Sequence, residues 1–326
     1  MKLFREIKNR LLAIKWFFTM CHGKKIDFFS EDTDFSPDWK TSPLNFSERS
    51  SIDELLKNLD AESCQSIFNF LEKLSVNLNL RNYKFAMRWP CFTEQNRFEY
   101  FNYLKNENAE FRKMGIPEPI EESAAFFHHG MRFLPDSVKN YAKDKIFIDG
   151  GACFGDSCLA FMNYEPNKIL AFDISRKNAE VFYSVMKKND IQDNKVILIL
   201  KGLSDKSERI SFMDGKAEGT SANVAGNTAV EMIPLDACEE IDSPVGWIKI
   251  DLEGYGLPAV KGMVETIKRD RPVLTLAVYH CADELFGIKK LLESWDLNYK
   301  IMFRTLRFDE YHELTLIAYP VELDQN

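Results

Sequence analysis

From Lys145 onward, short apolar runs alternate with stretches in which apolar positions recur every three or four residues. The runs at 145–149, 168–173, 195–200, 246–251, 272–279, 298–304 and 313–319 predict strands. Their near-continuous apolar character, rather than strict alternation, suits strands buried on both faces. Helical spacing at 156–163, 176–188, 257–268 and 283–295 predicts the intervening helices. Alternation of this kind implies an α/β fold built on a mostly parallel seven-stranded sheet with helices on both faces. The segment 202–235 has no long helical pattern; it reads as short β pieces at Ile210–Met213 and Val230–Ile233 around the polar loop Gly219–Asn223.

The N-terminal part follows a different pattern. Ser51-Ile-Asp-Glu54 has the capping-box form, and Leu55, Leu56 and Leu59 follow at helical spacing. A second helix is expected from Ala61, with Ile67, Phe68, Leu71 and Leu74 on one side. Pro90 interrupts the pattern, and Thr93–Met114 is helical again through Phe98, Phe101, Leu104 and Phe111. Residues 23–45, rich in Asp, Ser and Pro, read as a linker. The chain thus divides into a mainly helical region, 1–125, and an α/β domain, 126–326.

Charge changes the picture most at the N-terminus. In residues 1–21, Lys2, Arg5, Lys8, Arg10 and Lys15 alternate with Leu3, Phe4, Ile7, Leu11, Ile14 and Phe18, which makes an amphipathic helix with a basic face. It is too short and too charged to span a membrane or act as a signal peptide. Two readings stay open: packing on its own domain or a partner, and peripheral contact with anionic lipid on the inner face of the membrane. The chain as a whole carries a net charge of −8 and no long basic stripe, so no nucleic-acid partner is expected. Seven scattered cysteines without a C-x-x-C pair suit reduced thiols in the cytoplasm, with Cys153 and Cys158 as packing residues. With 326 residues and 45% hydrophobic content, the chain can build one large core or two smaller ones, and a homo-oligomer is compatible with it.

The candidate chemistry begins at Lys145-Ile-Phe-Ile-Asp-Gly-Gly-Ala-Cys-Phe-Gly-Asp-Ser157, a strand, a glycine turn and a helix start. Gly150, Gly151 and Gly155 allow a tight turn and close approach of a ligand. Asp156 and Ser157 are expected to cap the helix. A dinucleotide fingerprint would need Gly where Ala152 stands, and Asp149 would repel a pyrophosphate. An acid there would attract an ammonium instead, and S-adenosylmethionine carries one beside its sulfonium. Asp173, 24 residues after Asp149, ends the next strand at a spacing suited to ribose hydroxyls.

A second informative stretch is Trp247-Ile-Lys-Ile-Asp-Leu-Glu-Gly254. Asp251 and Glu253 project where the strand ends, on the edge where α/β sheets bind ligands. Val278-Tyr-His280 brings His280 to the same edge, where it suits a general base at neutral pH. His280 and Asp251 are both candidates for that base, and Glu253 joins them on the acceptor side. His128 and His129, as neighbours on an extended chain, cannot both face one way, so at most one reaches the ligand edge and a structural role suits each.

Phe147-Ile-Asp-Gly-Gly-Ala-x-x-Gly155, Phe172-Asp173, Leu203-Ser-Asp205, Ile248-Lys-Ile-Asp-Leu-Glu-Gly254 and Leu257-x-x-x-Lys-Gly262 resemble the ordered motifs of FkbM-type methyltransferases. The resemblance covers residues 126–319. It departs at Asp173-Ile174, where the family often has Glu-Pro, and at Gly256, where a further acid is common. What it implies is a Rossmann-like class I fold, S-adenosylmethionine as cofactor, and O-methylation of a sugar, glycan or natural-product hydroxyl. It also implies a cofactor set of Asp149, Gly150, Gly151, Ala152, Gly155, Asp156, Asp173, Ser204 and Asp251, a catalytic set of His280, Asp251 and Glu253, and no resident metal. A metal-assisted variant using Asp251 and Glu253, a non-catalytic scaffold and, least favoured, a nicotinamide-dependent oxidoreductase are the rival classes.

Overall fold

The structure, a computed structural model, describes residues 49–80, 115–117, 122–212, 228–306 and 313–324. The basic helix 1–21, the linker 23–45, the helix expected at 93–114 and the loop 219–223 lie outside these residues. Among the described residues no helix is long and apolar enough to cross a membrane.

The strands are β1 (Ile146–Gly150), β2 (Ile169–Phe172), β3 (Val196–Ile199), β4 (Gly202–Leu203), β5 (Glu208–Phe212), β6 (Thr228–Ile233), β7 (Val245–Ile250), β8 (Val273–Ala277), β9 (Tyr299–Thr305) and β10 (Leu314–Pro320). The helices are α1 (Arg49–Leu56), α2 (Ala61–Leu80), α3 (Glu122–Phe126), α4 (Asp136–Ala142), α5 (Asp156–Phe161), α6 (Arg176–Lys188), α7 (Gly256–Lys261), α8 (Val264–Asp270) and α9 (Ala282–Ser294). Seven strands form one sheet in the order β3-β2-β1-β7-β8-β10-β9. The first five run parallel, and β10 is antiparallel to both β8 and β9. The expected Rossmann-like architecture is therefore present. β4, β6 and β5 make a separate small sheet from the segment read as short β pieces.

Strand order positions the site. The chain winds outward from β1 through β2 to β3, then returns to β1's other side with β7 and continues to β8. The winding reverses between β1 and β7, and the crossovers there leave in opposite directions from adjacent strands. This opens a crevice at their carboxyl ends. Every residue of β1, β2, β7 and β8 is buried, as the continuous apolar runs imply. On one face Trp247, Phe147 and Phe161 interlock, with Phe161 and Trp247 centroids 4.1 Å apart.

The division drawn at residue 125 does not coincide with a break in packing. Leu55, Ile67, Phe70 and Leu71 from α1 and α2 share the sheet's main core with Ile288, Leu292 and Phe303. The edge strand β9 explains the attachment. Its Phe303 N–H donates to Ser63 Oγ at 2.9 Å, and Arg304 reaches Asp60 at 3.2 Å and Glu62 at 3.1 Å. α2 thus covers the edge where exposed backbone would invite another chain. α1 begins at Arg49, ahead of the Ser51 cap expected for it.

The single helix expected at 257–268 is broken. A Cβ on Gly262 would lie 1.8 Å from the Ser204 carbonyl oxygen, so the chain turns there against the small sheet. A new helix, α8, then starts under a side chain from elsewhere: Asp236 accepts from the Glu265 N–H at 3.0 Å and the Thr266 N–H at 2.8 Å. Periodicity continues across this break because both helices bury the same face, with Ala259, Val260, Met263 and Ile267 in one core.

Candidate functional site

The glycine turn after β1 is the first part of the site. Gly151 has φ +82°, and a Cβ there would lie 1.8 Å from the Asp251 carbonyl oxygen, so only glycine fits. The turn after β1 and the turn after β7 are therefore in backbone contact, reinforced by the Asp251 N–H donating to Gly150 O at 2.9 Å. Gly151 and Ala152 both donate to Phe172 O, at 2.9 and 3.0 Å, which ties the turn to β2 as well. Gly155, at φ +88°, lets α5 start against Phe182 and Met186 of α6.

Asp149 does not face this crevice as an open acid. It is fully buried and 3.1 Å from Lys249 Nζ, and it also accepts from Ser157 Oγ and, at 3.2 Å, from Cys158 Sγ. The strand register makes this pair, since Asp149 stands directly opposite Lys249 between β1 and β7. Lys249 Nζ also donates to Gly151 O at 2.8 Å, so the ion pair holds the glycine turn from below. Burial alone would lower the Lys249 pKa, but the carboxylates of Asp149, Asp251 and Asp156 outweigh it and hold the ammonium above its usual range. The expectation that Asp149 meets an ammonium of the ligand is corrected accordingly: its charge is already answered inside the sheet. Lys249 was missed in the sequence, although a lysine inside the buried run Trp247–Ile250 is itself a signal, because lysine is almost never fully buried unless paired.

Asp156 and Ser157 do not cap α5, whose N-cap, Gly155, has no side-chain cap. Ser157 turns inward to Asp149, and Asp156 Oδ2 lies 3.4 Å from His129 Nε2. His128 and His129 sit in a 3₁₀ turn, both with positive φ, rather than on an extended chain. They part as expected. His128 Nδ1 is 2.6 Å from Tyr164 OH, and burial pushes its pKa down to about 3, so it is a neutral structural residue. His129 reaches the turn side of the site through Asp156.

Asp173 ends β2 as expected and is nearly buried. Its Oδ2 accepts from the Cys153 N–H at 2.9 Å and its Oδ1 from the Ser175 N–H at 2.7 Å. Burial pushes its pKa upward against these hydrogen bonds. Asn178 Nδ2 also lies 3.4 Å from both oxygens, so four donor contacts already engage the carboxylate. Ser204 is different: it is fully buried, its N–H donates to Ile233 O at 2.9 Å and its hydroxyl lies 3.3 Å from Asp205 Oδ1. With its carbonyl against Gly262, it secures the junction with the small sheet and is removed from the ligand-binding set.

Across the crevice, Asp251, Glu253 and His280 come together as expected. His280 Nε2 lies 3.1 Å from Asp251 Oδ1 and 3.8 Å from Glu253 Oε2, and Nδ1 is 3.1 Å from Glu284 Oε2. Tyr279 OH lies 3.5 Å from Asp251 Oδ1 and 3.0 Å from Glu313 Oε1. Burial would discharge His280, but Glu284, Asp251 and Glu253 outweigh it and hold its pKa well above the usual histidine range. The surrounding carboxylates thus favour the imidazolium form, which weighs against His280 as a base at neutral pH. Burial would raise Asp251, but His280 and Lys249 overcome this and hold its carboxyl well below the usual range. The side chain of Asp251 is 26% exposed and that of His280 3%, so the carboxylate is the group a second substrate can reach. Glu284, Tyr279 and Glu313 were not singled out in the sequence. Glu284 packs beside Gly256, where the chain departs from the family pattern: a Cβ at 256 would lie 2.7 Å from Glu284 Oε1. Among the described residues no three His, Cys, Asp or Glu side chains are arranged to hold a metal ion.

The family model of the methyltransferase FkbM domain matches residues 149–301, from the end of β1 into β9. Among solved structures, a methyltransferase FkbM from Methylobacillus flagellatus KT is similar at TM-score 0.55 and 19% identity, over 83% of this chain and 58% of that one. The chain thus spans less than two thirds of that protein. An O-methyltransferase from Bacillus cereus is similar at TM-score 0.41 and 14% identity, over 63% of this chain and 84% of that one. An rRNA methylase from Streptococcus thermophilus is similar at TM-score 0.39 and 14% identity, over 57% and 92%. At 19% identity the likeness to the Methylobacillus flagellatus structure is one of fold. No curated protein matches the chain.

Proposed function

We propose, from the match of residues 149–301 to the methyltransferase FkbM domain, that the protein methylates a hydroxyl of a neutral sugar, glycan or related natural product, using S-adenosylmethionine. The observation that carries this reading is the contact between Gly151 and Asp251, which makes the cofactor turn and the acceptor-side carboxylate one rigid unit. The residues fit the cofactor. The backbone of Gly150, Gly151 and Ala152 lines the approach, and Asp173 at the end of β2 meets the ribose hydroxyls, which take the place of its long 3.4 Å contacts with Asn178. When bound, S-adenosylmethionine supplies an electrophilic methyl group on its sulfonium.

The chain's own residues do the rest. Asp251 accepts the hydroxyl proton of the acceptor, and this aligns the oxygen for attack. That proton becomes strongly acidic as the new C–O bond forms, so a carboxylate with a depressed pKa suffices to take it. His280 stays charged behind Asp251 and keeps it ionised. The carboxylates of Asp251, Glu253, Glu284 and Glu313 outnumber the cations His280 and Lys249 beside them. This acidic surround favours an uncharged polyhydroxyl acceptor over a phosphorylated or nucleic-acid one.

Calorimetry with S-adenosylmethionine and with NAD tests the cofactor. Tight NAD binding without S-adenosylmethionine binding would sink the reading. Asp173→Ala should weaken S-adenosylmethionine binding by about 1–3 kcal/mol, the cost of removing a charged hydrogen-bonding partner; unchanged affinity would remove Asp173 from the site. The acceptor class is tested by the mass of the cellular glycan fraction with and without the gene, a methyl group's increment being expected only with it.

A further inference from the structure

We propose that Glu284 is a positioning residue for the transfer step: its one carboxylate holds His280 by Nδ1 and the turn after β7 by the Gly256 N–H, and so sets where Asp251 stands against the acceptor. The consequence rests on the methyl-transfer reading above; the geometry does not.

Glu284 lies in the first turn of α9 and is fully buried. Burying a carboxylate is costly unless every bond it loses is replaced. Here Oε1 accepts from the Gly256 N–H at 2.8 Å and Oε2 lies 3.1 Å from His280 Nδ1. The pairing is built into the backbone. A Cβ at 256 would lie 2.7 Å from Oε1, so a side chain there would displace the carboxylate from the Gly256 N–H. His280 stands just ahead of α9, whose N-cap Cys281 is extended, and Glu284 lies in the helix's first turn, so the way the chain enters the helix brings the two side chains together. The far side of the imidazole then faces Asp251, and Nε2 is buried with no aligned hydrogen bond. That leaves a donor next to the carboxylate that meets the acceptor.

The surroundings of His280 determine its charge. Glu284 faces it from α9, and Asp251 and Glu253 face it from the turn after β7. Lys249 lies behind Asp251, and the Tyr279 ring stands against the imidazole at 4.0 Å between centroids. Glu313, just before β10, reaches the cluster through the Tyr279 hydroxyl, and His129 also acts on Asp251. Glu284 is the largest of the influences that raise the His280 pKa. With that charge present, both ring nitrogens carry protons, and the ring is held at Nδ1 in one orientation.

Glu284→Gln keeps the shape and an acceptor for Gly256 but removes the charge. In full-length protein labelled at histidine, with the His280 resonance assigned by its loss in His280→Asn, the His280 titration midpoint should fall by about 1–3 pH units in Glu284→Gln, the usual effect of one close opposite charge. In the same variant kcat should fall about tenfold or more, because a displacement of about 1 Å at the reacting groups can cost about 10²-fold. Affinity for S-adenosylmethionine should stay within about twofold. A midpoint that does not move, or a midpoint that falls with kcat unchanged, overturns the proposal. If Glu284→Gln does not fold, the native protein still decides: its ¹⁵N shifts must show His280 protonated at both nitrogens at neutral pH, and a neutral ring overturns the proposal. Failure of the native protein to bind S-adenosylmethionine would instead sink the methyl-transfer reading and leave the titration result intact.

Discussion

Asp251→Asn should lower kcat by about 10²–10⁴-fold, the usual contribution of a positioned proton acceptor, while S-adenosylmethionine affinity stays within about threefold. The two effects separate because the lost interaction strengthens only as the methyl group moves and the acceptor proton becomes acidic. Asn is nearly isosteric, and the Asp251 backbone contacts with Gly150 and Gly151 do not depend on the carboxylate. The pH profile adds a sign. Asp251 must be ionised to act, and its pKa is held below the ordinary aspartate value of about 3.9. The rate should therefore show no fall on acidification near pH 6.5, where an unperturbed histidine base would impose one. His280 could act as a base only after losing its proton, so that role would make the rate climb through its raised pKa. A rate that climbs in this way and is abolished in His280→Gln, with Asp251→Asn still active, would return the proton to His280.

Lys249→Met should be the most destabilising single change at the site, by about 3–5 kcal/mol, because it leaves the fully buried Asp149 carboxylate without its cation. The Ser157 and Cys158 hydrogen bonds to Asp149 remain, but they do not neutralise it. The double variant Asp149→Asn/Lys249→Met should recover most of the loss, since replacing both members of a buried pair removes the unpaired charge along with the bond. Chemical denaturation of the two variants beside the native protein measures this. A loss in the single variant below about 1 kcal/mol, the size of an exposed pair, would mean that the two groups are not buried together. The same substitution removes the donor that holds Gly151 O, so S-adenosylmethionine binding should weaken in both variants.

What was legible in the sequence is what depends on local pattern. The apolar runs placed every strand of the large sheet to within a residue or two, because burial on both faces leaves a continuous signature in each strand separately. The glycine turn, Asp173 at the end of β2 and the meeting of Asp251, Glu253 and His280 at one edge followed from the same pattern, since parallel strands present their carboxyl ends together. Pairings between distant residues were decided only by the tertiary structure. Asp149 meets Lys249 because β7 returns beside β1 in the register that sets those two residues opposite each other, and no periodicity reports which strand lies next to which. The pKa of His280 is raised because α9 brings Glu284 against one nitrogen while the turn after β7 brings Asp251 and Glu253 to the other. A pKa is the sum of charges that converge through space, whereas a sequence read alone gives only the intrinsic value of each group. Likewise, Leu55 of α1 and Ile67 and Leu71 of α2 are buried as their spacing foretold, although Phe68 is exposed and Phe70 is buried instead; that α2 meets the edge strand β9, through Ser63 and Arg304, and α1 meets α9 is decided by the tertiary arrangement.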